Sequence, residues 1–277
     1  MTITGGTSLY GIVGNPVRHS LSPVMHNAAF QALGLNCVYV PLPTEDVAAA
    51  MTGLRALGIQ GVSVTIPHKE AVISLLDEVD PLAMSIGAVN TIKAVEQKGR
   101  VALLGSNTDW QGANQALLAV TDLAGKKVII LGAGGSARAI GFGLQQEGAQ
   151  VILCSRTKSR GQSLAADLGC TWISLEQSQE LAGDVLVNAT SVGMNDPQLS
   201  PVDASILDRF SVVMDIVYAP LITRLLQEAE SAGCLVVNGL EMLLYQGVAQ
   251  FELWTGQSAP VPVMRRALYQ ATGNMYK

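Results

Sequence analysis

The stretch KKVIILGAGGSARAIGFGL, residues 126–144, constrains this chain more than any other. Val128–Leu131 runs straight into Gly132, Ala133, Gly134, Gly135 and Ser136, and a helical pattern follows to Glu147. A buried strand that ends in glycines and opens a helix is one half of a βα unit. Gly132 suits the tight turn, and Gly134 clears a side chain from the place where backbone must approach a ligand. The free N–H groups and positive dipole end of the following helix favour an anion, above all a pyrophosphate. Ala137 stands where the third glycine of G-x-G-x-x-G would be. Alone, the pattern leaves a plain glycine-rich turn as the alternative.

The next strand discriminates between cofactors. A free ribose 2′-hydroxyl calls for Asp or Glu about 20 residues past the glycines. Here VILCSRTKSR ends in Ser155, Arg156 and Thr157, with Lys158 and Arg160 beyond and no carboxylate. Cations are unfavourable at a helix start, so a nearby anion would explain them. A guanidinium pairs with a 2′-phosphate and stacks on the base. The expectation is NADP rather than NAD.

The rest of the chain repeats the βα theme. Short Val/Ile/Leu runs alternate with Ala-rich helical stretches, as in parallel sheets covered by helices. Strands are expected at Leu9–Val13, Cys37–Val40, Gly61–Thr65, Ala88–Lys93, Val101–Gly105, Val128–Leu131, Val151–Cys154, Val185–Asn188, Val212–Ile216 and Leu235–Val237. Helices fit Pro23–Leu33 capped by Ser22, Glu45–Leu57 after Thr44, and Lys69–Leu76. Others begin near Asp109 and cover Gln162–Leu168, Ile222–Ala232, Glu241–Thr255 (capped by Asn238) and Val263–Thr272. Lys98-Gly99 reads as a hairpin turn.

Composition excludes several classes. At 49% hydrophobic and 14% charged the chain is too apolar for disorder. A net charge of −5 without a Lys/Arg block argues against nucleic acid or an anionic membrane as partner. No apolar run reaches the ~18–20 residues of a membrane span. The opening MTITGGTSLYGIVG has no basic start and no cleavage site, so a secretory signal is not expected. Cys37, Cys154, Cys170 and Cys234 lie far apart and read as buried thiols of a reducing cytoplasm. No Cys/His spacing suggests a metal.

A hydride enzyme also needs groups that hold substrate and move a proton. Ser20 and Ser22, at a helix start, offer hydroxyls and N–H groups to a carboxylate, although Ser22 alone is equally a helix cap. Lys69 follows Val64-Thr65-Ile66-Pro67-His68 at an expected helix start, where the dipole disfavours a cation. A lysine so placed is a usable acid or base; a lysine that merely reaches water is the plainer alternative. Asn90 lies in an expected strand. Asp109, in Asn107-Thr108-Asp109, opens a helix and by itself reads as a cap.

Taken in order, these fragments resemble the shikimate dehydrogenase family: SLSP at 20–23, VTIPHK at 64–69, GAVNT at 87–91, NTDWQG at 107–112, GAGGSARA at 132–139, SRT at 155–157, NATSVGM at 188–194 and YQGVAQFELWTG at 245–256. The resemblance implies two α/β domains: an N-terminal substrate domain (residues 1–110 plus 240–277) and a Rossmann-like, doubly wound NADP-binding domain (111–239). It implies reversible NADPH-dependent reduction of 3-dehydroshikimate to shikimate, in aromatic amino-acid biosynthesis. Lys69 and Asp109 would be the catalytic pair. Ser20 and Ser22 would take the substrate carboxylate, and Thr65, Asn90 and Gln246 the ring hydroxyls. Tyr218 and Gly239 would lie beside the nicotinamide. Gly132, Ala133, Gly134, Gly135, Ser136, Ser155, Arg156, Thr157 and Arg160 would hold the rest of the cofactor. Gln250 shares a helix face with Gln246 but matches no site position. Ser63 and Ser155 stand where the family more often has Asn, and Ser136 where it has Ala. Quinate or aminoshikimate remains open as substrate, as does a non-catalytic NADP(H) or shikimate sensor. The partners expected are a small molecule and, at most, a second copy: monomer or homodimer.

Overall fold

The computed structural model describes residues 2–273. The chain divides into two compact units. One comprises the residues through Thr108 and those from Gln246 onward; the other is Asp109–Tyr245.

The first unit contains, in chain order, β1 (Ser8–Gly14), α1 (Ser22–Ala32), β2 (Cys37–Pro43), α2 (Val47–Ala56), β3 (Gly61–Val64), a 3-10 turn over Ala71–Leu75, β4 (Glu78–Val79), α3 (Pro81–Ile86), β5 (Thr91–Gln97) and β6 (Arg100–Ser106). The sheet order is β2-β1-β3-β5-β6-β4. β1 pairs parallel with β2 and β3, whereas β5 is antiparallel to both β3 and β6. Pro41 and Pro43 are tolerated because β2 is an edge strand. Lys98 and Gly99 form the β5–β6 hairpin with φ of 52° and 76°, the two positive angles of a two-residue turn. Val13, Leu54, Val62, Val64, Ile92 and Leu103 are part of the core on one face. Tyr10, His26, Phe30, Tyr39 and Trp254 form a ring cluster elsewhere in this unit.

The second unit contains α4 (Asp109–Leu118), β7 (Lys127–Leu131), α5 (Gly135–Gln146), β8 (Gln150–Ser155), α6 (Lys158–Leu168), β9 (Thr171–Ser174), β10 (Val185–Asn188), β11 (Val212–Asp215), α7 (Arg224–Ser231) and β12 (Leu235–Val237). α8 (Gly239–Thr255) carries the chain across the division, and α9 (Val261–Ala271) follows. The sheet order is β12-β11-β10-β7-β8-β9, with every pair parallel. Numbered from β7, this is the 3-2-1-4-5-6 order of a Rossmann sheet, which reverses between β7 and β10. Val128–Leu131 and Val185–Val187 are buried, which explains their unbroken apolar runs.

Several local expectations need correction. Ser22 is not the cap of α1: Leu21 holds that position and makes no side-chain cap bond. α2 is capped by Asp46, not Thr44; the Asp46 carboxylate accepts from Ala49 N at 2.9 Å. The helix expected over Lys69–Leu76 shrinks to the 3-10 turn. The Lys69 carbonyl is taken by Val89 N at 2.8 Å, while Ile73 N turns to Glu70 O, so the α-helical ladder cannot pass through Lys69. The dipole argument for Lys69 therefore does not apply. α3 was missed, although Asp80-Pro81 announces it: the Asp80 carboxylate accepts from Leu82 N at 2.7 Å. The edge strand β9 was missed as well. The four cysteines are unbridged, but Cys37 and Cys170 are only partly covered. Burial pushes the Cys154 thiol up to about 11, so it stays protonated near neutral pH.

Candidate active site

The first unit gathers its polar candidates at one end of its central strands. β1 and β3 run parallel, so the chain after Gly14 and the chain after Val64 leave at the same end. β5 runs the other way, which puts its beginning there too, with Ser63 opposite Thr91 and Thr91 opposite Ser106. Ser20, Thr65–Lys69, Asn90 and Asn107–Thr108 thus leave or enter the sheet together. Direct bonds tie the segments at Lys69, Asn90 and Thr108. Val89 N donates to Lys69 O at 2.8 Å, and Val64 N donates to Asn90 O at 2.7 Å. Thr108 N donates to Asn90 Oδ1 at 2.7 Å, and Asn90 Nδ2 donates to Thr108 Oγ1 at 3.0 Å. Asp109, a buried residue, is covalently next to Thr108.

Asn90 belongs to a longer buried relay that sequence reading missed. Tyr39 Oη donates to Ser63 Oγ at 2.7 Å, and Ser63 Oγ donates to Gln250 Oε1 at 2.8 Å. Gln250 Nε2 donates to Thr91 Oγ1 at 2.9 Å and to Asn90 O at 3.2 Å. Thr91 Oγ1 donates to Asn90 Oδ1 at 2.7 Å. The structural role of Gln250 is therefore specific: it joins β3 to the start of β5. Gln246, one turn earlier on α8, is also buried. His26 stacks on Tyr39 with ring centroids 4.6 Å apart, and burial drives its pKa down to about 3, so the ring is neutral.

Ser20 and Ser22 sit together at the start of α1, where Ser20 Oγ accepts from Ser22 N at 3.3 Å. Ser22 is buried and Ser20 half-buried. Thr65 is held by a bond from its N–H to Val13 O at 2.9 Å. Lys69 is half-buried.

The second unit presents the glycine turn at the point where its sheet reverses. Gly132 has φ of 123°, and a Cβ there would meet Ala189 O at 3.0 Å, so glycine is required twice over. A Cβ on Gly134 would meet nothing within 4 Å, so the turn faces open space. Gly135 begins α5, whose start has no side-chain cap. Its N–H groups are thus left for an anion. Ala137 is fully buried against the sheet, which is where the third glycine of the motif would pack. Ala133 and Ser136 are half-buried.

At the end of β8, Arg156, Thr157 and Arg160 are exposed. Ser155 is different. It is buried, and its Oγ accepts from Trp172 Nε1 at 3.0 Å. A Cβ on Gly161 would strike both partners, so that glycine lets Trp172 in. Gly239 is also a packing position: its Cβ would lie 2.5 Å from Ile216 O. Tyr218 is half-buried two residues after Ile216. This donor set fits a 2′-phosphorylated dinucleotide: an uncapped helix start, an open glycine turn and exposed guanidinium groups without a carboxylate.

Asn188 and Asp215 end β10 and β11 side by side. Both are fully buried. Asp215 accepts from Asn188 Nδ2, Val217 N and Thr223 Oγ1 at 2.9, 3.0 and 2.7 Å. Burial still outweighs those bonds and raises its pKa to about 6. Sequence reading passed over this pair, because a polar residue at the end of an apolar strand is ordinary until the fold brings its partners together.

Known proteins resemble this chain along its whole length. Family models for the shikimate dehydrogenase substrate binding domain, shikimate/quinate 5-dehydrogenase and the shikimate 5′-dehydrogenase C-terminal domain match residues 12–92, 114–232 and 239–269. The NADP(+) shikimate dehydrogenase of Thermococcus kodakarensis is 48% identical over 268 residues, covering 94% of this chain and 96% of that one. A shikimate dehydrogenase crystallised in complex with NADP+ matches with a TM-score of 0.91 at 38% identity, covering 100% of this chain and 98% of that one. The Thermus thermophilus shikimate 5-dehydrogenase, crystallised with NADP(H) and shikimate, matches with a TM-score of 0.87 at 39% identity, covering 96% of this chain and 100% of that one.

Proposed function

The chain belongs to the shikimate dehydrogenase family, and from that premise we propose that it carries out the reversible NADPH-dependent reduction of 3-dehydroshikimate to shikimate. The observation that carries the residue-level reading is the cluster at one end of the central strands of the first unit. There the backbone at Lys69 is bonded to Val89, and Asn90 is bonded to Thr108, the neighbour of Asp109. The first unit is the substrate unit and the second the cofactor unit.

When bound, NADPH supplies the hydride. Lys69 delivers the accompanying proton to the carbonyl oxygen, and Asp109 orients the ammonium. Ser20 and Ser22 hold the substrate carboxylate. Thr65, Asn90 and Gln246 pair with ring hydroxyls, so an analogue that lacks one leaves a buried polar group unpaired. In the cofactor unit, Gly132–Ser136 and the start of α5 take the pyrophosphate. Arg156, Thr157 and Arg160 take the 2′-phosphate, and Tyr218 lies beside the nicotinamide. Ser155 and Gly239 shape the backbone of the cofactor unit. The enzyme works in the cytoplasm, where free thiols persist, as a monomer or a homodimer.

A second reading, quinate as substrate, rests on Ser63. It stands where the family more often has Asn, and its hydroxyl is engaged by Tyr39 and Gln250. An NADP-reduction assay with shikimate and quinate side by side separates the two. Turnover of shikimate well above quinate supports the first reading; the reverse order overturns it.

A further inference from the structure

We infer that Asp215 is a positioning residue for the cofactor: its carboxylate holds the two chain segments that leave β10 and β11, on one side of the glycine turn, in their NADP-binding shape. The inference rests on the NADP reading above and adds a residue to which that reading gives no part.

The argument starts from donor and acceptor chemistry. An ionised carboxylate only accepts, and a backbone N–H only donates. Asp215 therefore fixes the amide of Asn188 in one orientation, with Nδ2 turned towards it at 2.9 Å. That leaves Asn188 Oδ1 to accept from Thr190 N at 3.0 Å and Thr190 Oγ1 at 2.7 Å. The same Nδ2 reaches Val192 O at 3.3 Å. One carboxylate thus organises the turn from Ala189 to Val192. That turn bears on the glycine loop: Ala189 N donates to Leu131 O at 2.9 Å, and a Cβ on Gly132 would lie 3.0 Å from Ala189 O.

The other two bonds act on the segment after β11, one strand further from the glycine turn. Val217 N donates to Asp215, which pins the residue before Tyr218. Thr223 Oγ1 donates to Asp215 and also accepts from Leu226 N at 3.4 Å, so the start of α7 is tied in. Three donors converge on one side chain that is 0% exposed. A neutral residue of this size avoids the cost of burying charge. It cannot, however, accept all three bonds with the geometry seen here. The benefit of the anion lies in the shape it imposes.

The test is cofactor titration by calorimetry on the full chain near neutral pH, with two probes: NADP and adenosine 2′-monophosphate. The second probe reaches only the Arg156–Arg160 end of the site. We expect Asp215→Asn to weaken NADP about tenfold, the worth of one or two lost hydrogen bonds, and to leave the fragment unchanged. Equal weakening of both probes marks general loosening and overturns the inference, as does unchanged NADP affinity. Thr223→Val, which keeps the volume but removes both the donor to Asp215 and the acceptor of Leu226 N, should show the same split at a few-fold. It decides alone if Asp215→Asn does not fold. A wild-type chain that fails to bind NADP at all would instead refute the cofactor reading.

Discussion

Replacing Gln250 with Leu tests whether the buried relay of the first unit organises the strand ends that carry its polar candidates. The side chain is fully buried and makes three hydrogen bonds, at 2.8, 2.9 and 3.2 Å. Leu fills a similar volume, so no large cavity opens. The Asn90 carbonyl keeps Val64 N as donor, and Thr91 Oγ1 keeps Asn90 Oδ1 as acceptor. The Ser63 hydroxyl proton loses its acceptor. One fully orphaned buried donor costs about 1–3 kcal/mol, and two weakened acceptors add a fraction of that. The expected loss is about 2–3 kcal/mol in the stability of this unit. Hydrogen exchange of the β3 and β5 amides reads that unit separately from the other. A cycle with Ser63→Ala sharpens the test. Once Gln250 is gone, removing the Ser63 hydroxyl also removes the orphan, so the double variant should lose about 1 kcal/mol less than the sum of the singles. If Gln250→Leu cost under about 0.5 kcal/mol, or if the two substitutions were additive, the relay would have no energetic reality.

Other outcomes follow from the same chemistry. Lys69→Ala should lower kcat by ~10²–10⁴ and leave the KM for shikimate nearly unchanged, since the proton is needed only as the carbonyl reacts; normal turnover would refute its role. Ser20→Ala and Ser22→Ala should weaken shikimate in calorimetric titration with NADP binding intact, whereas loss of NADP binding would contradict the assignment of carboxylate holder. Asp215 is raised from 3.8 to about 6 in the folded chain, so the native state binds its proton more tightly than the unfolded one. Its contribution to stability therefore falls as pH rises from about 4 to about 6 and is flat above, a change of roughly 3 kcal/mol. The difference in unfolding free energy between wild type and Asp215→Asn should follow that curve, and a pH-independent difference would refute the burial of charge.

What could be read from the residues alone was local or strongly patterned. The glycine turn is one case, because only glycine takes φ of 123° against a neighbouring carbonyl. The Lys98-Gly99 hairpin is another, since two positive φ angles leave few choices of residue. β10 was bounded correctly because a short apolar run flanked by polar residues marks a strand buried on both faces, and the apolar run of the edge strand β12 was bounded correctly too. The family resemblance likewise rests on short fragments that recur in a fixed order along the chain.

Tertiary structure decided the rest. Ser22 and Thr44 have cap chemistry but do not cap, and Lys69 has a helix behind it only on paper, because a backbone bond to Val89 claims its carbonyl first. The relay joins residues 24 and 187 positions apart, and no local pattern links Tyr39 to Ser63 or Ser63 to Gln250. Asp215 looks like an ordinary polar strand end until the fold turns Asn188, Val217 and Thr223 towards it. Periodicity and turn chemistry act through neighbours in the chain. Buried polar networks act through neighbours in space, and the fold alone selects those.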